Sequence, residues 1–174
     1  MGDAHHYRAT CAWRGSTAVG YDAYARAHTV TMPPADATLT MSADPAFRGD
    51  AQLVNPELLL LAAAASCQLL SFLAVASRAR IDVLQYADNA EGWMPEDDRP
   101  TRVTRILLRP RITVRGDVTP ARLSHLTEVA HRECYIANSL RTDVVVEPTF
   151  LTLPARAAPP DGGTAGPAGS GAAR

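Results

Sequence analysis

Three cysteines, Cys11, Cys67 and Cys134, have the widest chemical range of any residues in this chain. A thiolate can attack an electrophile, take up oxygen, close a disulfide or hold a metal. Their odd number and wide spacing fit neither a secreted disulfide scaffold nor a CxxC metal knuckle. In a reducing compartment, such thiols are catalytic, redox-sensing or simply buried. Cys67 stands in Ala65-Ser66-Cys67-Gln68, among alanines and leucines, where a cysteine serves equally as a small apolar side chain. Cys134 follows His131-Arg132-Glu133, and Cys11 reads as structural. His125 and His131 are not at the i, i+4 spacing of a helical metal pair, so zinc is disfavoured. Arg48 and Glu57 flank a long loop and a helix start. As surface charges they need no explanation. As functional groups, the guanidinium would lie against a thiolate and the carboxylate would fix the guanidinium. Arg26 is a second candidate for that cation.

The elements that must position these groups are legible in part. Asn55-Pro56-Glu57 opens a helix: Asn is a favoured N-cap, Pro a favoured first residue, and Glu suits the positive end of the dipole. The run from Glu57 to Arg80 contains no Gly or Pro, and at ~1.5 Å per residue it is about 36 Å long. It is apolar on nearly every side up to Val75, which predicts burial against a sheet and a second copy of itself. Cys67 lies about 15 Å from the start of that helix, too far for the dipole to support a thiolate, so a reactive Cys67 needs a cation from elsewhere.

Strands are expected at Tyr7–Trp13, His28–Met32 and Ala37–Met41, the last two joined by Pro33-Pro34. Ser42 to Val54 has no periodicity, and a loop of that length in a compact domain is usually functional. Ile81–Trp93 and Val103–Val114 read as two strands, with 95–100 as the loop between them. Thr119-Pro120 starts a second helix that ends near Arg132, Cys134 falls just beyond it, and Asp143–Glu147 is a last strand. Three strands, a long helix, two strands, a helix and a strand make an α+β chain rather than repeating βαβ units.

Composition sets the remaining bounds. The 174 residues are 47% apolar, enough for one core, with a net charge of −1 that offers no field for nucleic acid or an anionic membrane. All 17 basic residues are Arg, which excludes Schiff-base chemistry and a phosphate-binding P-loop, since both need a lysine. The first residues lack the basic start and apolar run of a secretory signal, and the apolar stretch Leu58–Cys67 is too short to span a bilayer. These features predict a cytoplasmic protein. From Pro154 the composition turns to Pro, Gly and Ala, so residues 1–153 are read as one domain and 154–174 as a disordered tail.

Two segments resemble one known family. Asn55-Pro56-Glu57-Leu58-Leu59 with Ala63-Ala64-Ala65-Ser66-Cys67 looks like the first cysteine helix of the OsmC/Ohr family. Ala130-His131-Arg132-Glu133-Cys134-Tyr135-Ile136-Ala137-Asn138-Ser139-Leu140 looks like its second cysteine motif. The likeness runs from about Tyr7 to Pro148. The loop from Ser42 to Asp50 is closer to an OsmC-like branch than to Ohr proper, and Gln68 stands where relatives of that branch often carry His.

The resemblance implies an OsmC-like fold, with antiparallel sheets around a long buried helix, in an intertwined homodimer with sites at the subunit interface. It further implies a thiol-dependent peroxidase without metal, flavin or haem. Cys67 would be the peroxidatic nucleophile, Cys134 the resolving thiol, Glu57 the family's helix-start glutamate and Arg48 the activating arginine, with Arg26 in the Ohr-type place. An external dithiol, by analogy a lipoyl-type one, would restore the thiols. Leu69, Leu70, Phe72 and Phe47 favour an organic hydroperoxide over hydrogen peroxide. A non-turnover redox sensor and a non-redox interaction module are the alternatives within the same fold.

Overall fold

The computed structural model describes Gly2 and residues 4–155. The expected tail therefore lies, from residue 156 on, outside the described residues. Nine strands and three helices follow in the order β1 (Thr10–Ala12), β2 (His28–Thr31), β3 (Thr38–Met41), α1 (Pro56–Arg78), β4 (Asp82–Ala87), β5 (Glu91–Trp93), β6 (Arg105–Leu108), β7 (Arg111–Arg115), α2 (Pro120–Arg132), α3 (Tyr135–Ser139), β8 (Asp143–Val146) and β9 (Thr149–Leu153). They form three three-stranded sheets, β1-β2-β3, β4-β7-β9 and β5-β6-β8. The α+β expectation holds, but the sheets are not purely antiparallel, because β6 pairs with β8 and β7 with β9 in parallel.

Each of the two long strands expected between 81 and 114 is broken in the middle. Pro110 lacks an N–H and separates β6 from β7, while the Asp88 carboxylate accepts the Arg109 amide at 2.7 Å beside the break between β4 and β5. The chain thereby leaves one sheet and enters the other at the same level on both strands. Pro110 and Leu108 also accept, through their carbonyls, the amides of Thr149 and Glu147. This fixes where β8 ends and β9, a strand not expected from the sequence, begins.

Helix α1 starts as the sequence predicts. Asn55 Oδ1 accepts the Leu58 amide at 2.8 Å, a cap worth about 1 kcal/mol. It stops two residues earlier than expected because Arg80 adopts a left-handed conformation at φ 59°, which lets the Ile81 amide turn back to the Ala76 carbonyl at 2.9 Å. The helix is long and apolar enough to cross a membrane by length and composition, since the apolar run continues past Cys67. Here it is the common wall of two cores. Phe72, Val75 and Ala76 pack with Ile112, Val114, Leu123 and Ala130 between the β4-β7-β9 sheet and α2. Ala64 packs with Val103, Ile106 and Leu108 against the β5-β6-β8 sheet and α3.

Burial on nearly every side is not what a single chain provides. The buried residues, Ala64, Gln68, Phe72, Val75 and Ala76, form one stripe. On the opposite side Ala62, Ser66, Leu70, Leu73 and Ser77 face outward, with Leu70 62% exposed. The β1-β2-β3 sheet contributes no residue to either core cluster. It joins the body through the Met41–Val54 bridge and the Ser42 amide, which donates to the Val54 carbonyl at 2.9 Å.

The loop from Ser42 to Val54 closes on itself. Asp44 caps the single turn Pro45–Phe47 through the Ala46 amide at 2.8 Å, and Ser42 Oγ accepts the Asp50 amide at 3.1 Å. Gly49 is packed so tightly that an added Cβ would sit 1.7 Å from the Ala43 carbonyl oxygen. Backbone has to move to admit it. At Gly92 the nearest obstacle is the tip of the Leu61 side chain at 2.7 Å, which can rotate away. Gly49→Ala is therefore expected to lower stability by roughly 3 kcal/mol, the upper end for overpacking, and Gly92→Ala by roughly 1 kcal/mol. Urea denaturation of both variants checks the ranking; equal losses would contradict it.

Candidate redox site

Two of the three cysteines meet where α1, α2 and α3 converge. Cys67 projects from the flank of α1, between its buried and exposed stripes, and is half-buried. Cys134 ends the short link from α2 and caps α3, with φ −71° and ψ 108°. Asn138 holds that link: its Nδ2 donates to the Arg132 carbonyl at 2.8 Å and to the Cys134 carbonyl at 2.9 Å. A salt bridge from Arg78 to Glu133 ties the same link to the end of α1.

The Ile136 amide donates to Cys67 Sγ at 3.4 Å, and Cys67 is the thiol that neighbours Cys134. Both cysteines are free. Cys134 is 1% exposed, and burial pushes its thiol up from 9.0 to about 11. The Ala137 amide, and to a lesser degree that of Ile136, works against the shift, whereas the neighbouring Cys67 adds to it. At neutral pH Cys134 thus keeps its proton beside a more accessible partner sulfur. Cys11, on β1, is exposed and far along the chain from this pair.

The charged candidates gather elsewhere. Glu57 lines a cavity of about 400 Å³ together with Arg26, His28, Trp13, Tyr24 and Phe47. Arg26 is held there by stacking. Its guanidinium lies 4.1 Å from the Tyr24 ring centre and 4.7 Å from that of Tyr21, and it donates to the Tyr24 carbonyl at 2.9 Å. Glu57 Oε2 is buried and, among the described residues, has no hydrogen-bond partner, so the carboxylate is available to a cation entering the cavity.

Arg48 does not line this cavity. It occupies the left-handed region at φ 66°, and its exposed side chain pairs with Asp22 at 3.0 Å. Within one chain the structure brings Cys67 to Cys134 and Glu57 to Arg26, but it does not bring the two pairs together: the helical path from Glu57 to Cys67 is about 15 Å. The sequence reading did not single out Trp13 or Tyr24. The clustering of Trp13, Tyr21, Tyr24 and Arg26 within one short stretch was the available signal for an aromatic box around a cation.

The raised thiol has a pH signature. A group whose folded-state value lies above its unfolded value adds stability below the unfolded value, and that contribution is lost as pH rises through the folded one. For Cys134 the window runs from about pH 9 to about pH 11. Wild type is expected to lose on the order of 2 kcal/mol across it relative to Cys134→Ser, part of it belonging to the coupled Cys67–Cys134 pair. Thermal melts of reduced protein at closely spaced pH values check this. Parallel curves for the two proteins would show that Cys134 is not held protonated by the fold.

Comparison with known proteins agrees with this architecture. The family model described as OsmC-like protein matches residues 49–149. An OsmC-like protein of unknown function from Vibrio cholerae is 31% identical, covers 84% of this chain and 100% of its own, and superposes with a TM-score of 0.75. An organic hydroperoxide resistance protein from Elizabethkingia anophelis shares 19% identity over 88% of this chain and 100% of its own, with a TM-score of 0.66. A protein from Legionella pneumophila, named organic hydroperoxide resistance protein OsmC, shares 19% over 86% and 98%, with a TM-score of 0.63. No curated protein matches the chain. The match through both cysteine segments and the likeness across the full length of the Vibrio protein place this chain in the OsmC-like family.

Proposed function

We propose that this protein is a thiol-dependent peroxidase that reduces organic hydroperoxides through Cys67 and Cys134. The observation that carries the reading is the pairing itself: a half-buried sulfur beside a fully buried thiol that burial keeps protonated. That asymmetry supports the following roles. The accessible Cys67 attacks the distal peroxide oxygen as a thiolate, the O–O bond breaks, and the alcohol leaves with a proton. Cys67 is then a sulfenic acid, and Cys134 condenses with it to a disulfide, releasing water. An external dithiol returns both sulfurs to thiols. The names of the Elizabethkingia and Legionella proteins support the same substrate class.

Arg26 is favoured over Arg48 as the activating cation. It is preorganised by two tyrosine rings and shares a cavity with an unpartnered carboxylate, whereas Arg48 spends its charge on exposed Asp22. The aromatic wall of that cavity suits the organic part of a hydroperoxide. For this cavity to serve Cys67, two chains have to combine. Antiparallel crossing of two α1 helices near Ala62, midway between Glu57 and Cys67 on the outward side that carries Leu58, Ala62 and Ser66, would bring the Glu57 end of one helix toward the cysteine of the other. It would also cover Leu58, whose exposure otherwise costs about 25 cal/mol per Å² of apolar surface.

Two experiments test this reading. Cys67→Ser is expected to abolish turnover of cumene hydroperoxide with a dithiol, while Cys134→Ser consumes one equivalent and stops with Cys67 oxidised. Equal single-turnover consumption by wild type and Cys67→Ser would remove Cys67 as the nucleophile. The shared site is tested by refolding a Cys67→Ser chain together with a chain carrying Arg26→Ala and Glu57→Ala. Mixed dimers are expected to regain one intact site, hence about half the wild-type activity per dimer, because each inactive chain supplies what the other lacks. Mixed dimers as inactive as either parent would mean that each site belongs to one chain.

A further inference from the structure

The buried stripe of α1 carries one polar residue. Gln68 is 1% exposed, and among the described residues neither its Oε1 nor its Nε2 has a hydrogen-bond partner. Its direction follows from its neighbours one turn away on either side. Ala64 packs in the cluster that includes Ile136, and Phe72 packs in the cluster that includes Ala130. Gln68 therefore enters the core at a level between Ala130 and Ile136, and within 131–135 Cys134 is the residue that is buried. Tyr86 reaches the same region from β4. Its ring lies 5.9 Å from that of Phe72, and its hydroxyl is buried without a partner among the described residues. Burial, then Asp88, then Cys134 push the pKa of that hydroxyl up, so it keeps its proton and stays a donor.

We propose that Gln68 and Tyr86 are positioning residues for the resolving thiol, receiving Cys134 as its proton leaves. The assignment rests on Cys134 acting as the resolving thiol of the reading above. In the step concerned, Cys134 gives up its proton and its sulfur attacks the Cys67 sulfur. The S–O bond of the sulfenic acid breaks, and the departing hydroxide takes a proton to become water. One thiol and one sulfenic acid become one disulfide and one water, so no oxidant beyond the peroxide is needed. The difficulty is the negative charge on a sulfur in a site that disfavours charge. The Gln68 carboxamide N–H and the Tyr86 O–H are unpartnered buried donors at this level of the core, and a hydrogen bond to a charged group is strong where water is excluded.

The experiment follows the two sulfurs separately in Gln68→Met and Tyr86→Phe, which keep side-chain volume and remove the polar atoms. In a single turnover with cumene hydroperoxide, dimedone trapping reports the sulfenic acid and peptide mapping reports the disulfide. In parallel, the aromatic disulfide DTNB loads Cys67 with thionitrobenzoate, and release of the second thionitrobenzoate reports attack by Cys134 without any peroxide. The expected result is sulfenic acid formed at the wild-type rate, with disulfide closure and second release each slowed about ten-fold or more, the size of one hydrogen bond to a charged group. Closure at the wild-type rate in both variants overturns the proposal. So does slowing of sulfenic acid formation and of disulfide closure by the same factor, which is what general disruption of the fold would give. A wild type that closes with DTNB but forms no sulfenic acid with peroxide sinks the peroxidase reading instead, and a slowed second release in the variants then still supports the roles of Gln68 and Tyr86.

Discussion

Helix α1 has to satisfy two sheets at once, and most of the structure follows from that demand. Its C-terminal half packs on β4-β7-β9 through Phe72 and Val75, and its N-terminal half on β5-β6-β8 through Ala64. A single flat sheet cannot do both along a helix of about 35 Å, because sheets twist. The strands divide instead, at Pro110 and beside Asp88, and the two half-sheets meet the helix at successive levels. Cys67 falls near the junction of the two halves, where α2 gives way to α3. The site therefore sits where the packing changes partner.

This placement explains the asymmetry of the two thiols without special chemistry. Cys134 lies in the link between α2 and α3, which turns inward to cover the junction, and it is buried by the same geometry that lets the Ile136 amide reach Cys67. Cys67, on the flank of α1, remains reachable from the outside. A difference in desolvation of two neighbouring sulfurs is enough to hold Cys134 protonated while Cys67 stays the more accessible. The arginine and glutamate form a second preorganised unit, at the start of α1, around Tyr21 and Tyr24.

What the sequence made legible divides along the same lines. The start of α1 was readable because Asn55, Pro56 and Glu57 are local signals, each acting within one turn. Its end was not, since the left-handed residue there is Arg80 where Gly is the usual marker. The breaks at Asp88 and Pro110 escaped notice because a hydrophobic pattern records which side a residue faces, not which sheet it belongs to. The family resemblance pointed to the two cysteines, and the structure makes them neighbours. The cation was harder: Arg26 and Arg48 are equivalent in composition, and only the stacking of Arg26 on tyrosines against the pairing of Arg48 with Asp22 separates them. Gln68 was marked in the sequence only by standing where relatives often carry His; that it is buried without a partner depends on the chain packed over it.

The two parallel pairings bear on how the chain reaches its fold. β8 and β9 are consecutive, yet each completes a different sheet, and Val144, Val146 and Phe150 from them pack against both cores. Neither half of the molecule can therefore close until residues 143–153 are available, and both must close over contacts about forty residues apart in sequence. Such long-range pairing is slow relative to local structure, which places the formation of helices before the closing of sheets and leaves the apolar stripe of α1 uncovered in between. During synthesis, the nascent chain passes through an interval in which α1 is formed but has no sheet to lie on. That interval is the period of greatest aggregation risk, and its length is set by how late the final strand pair emerges.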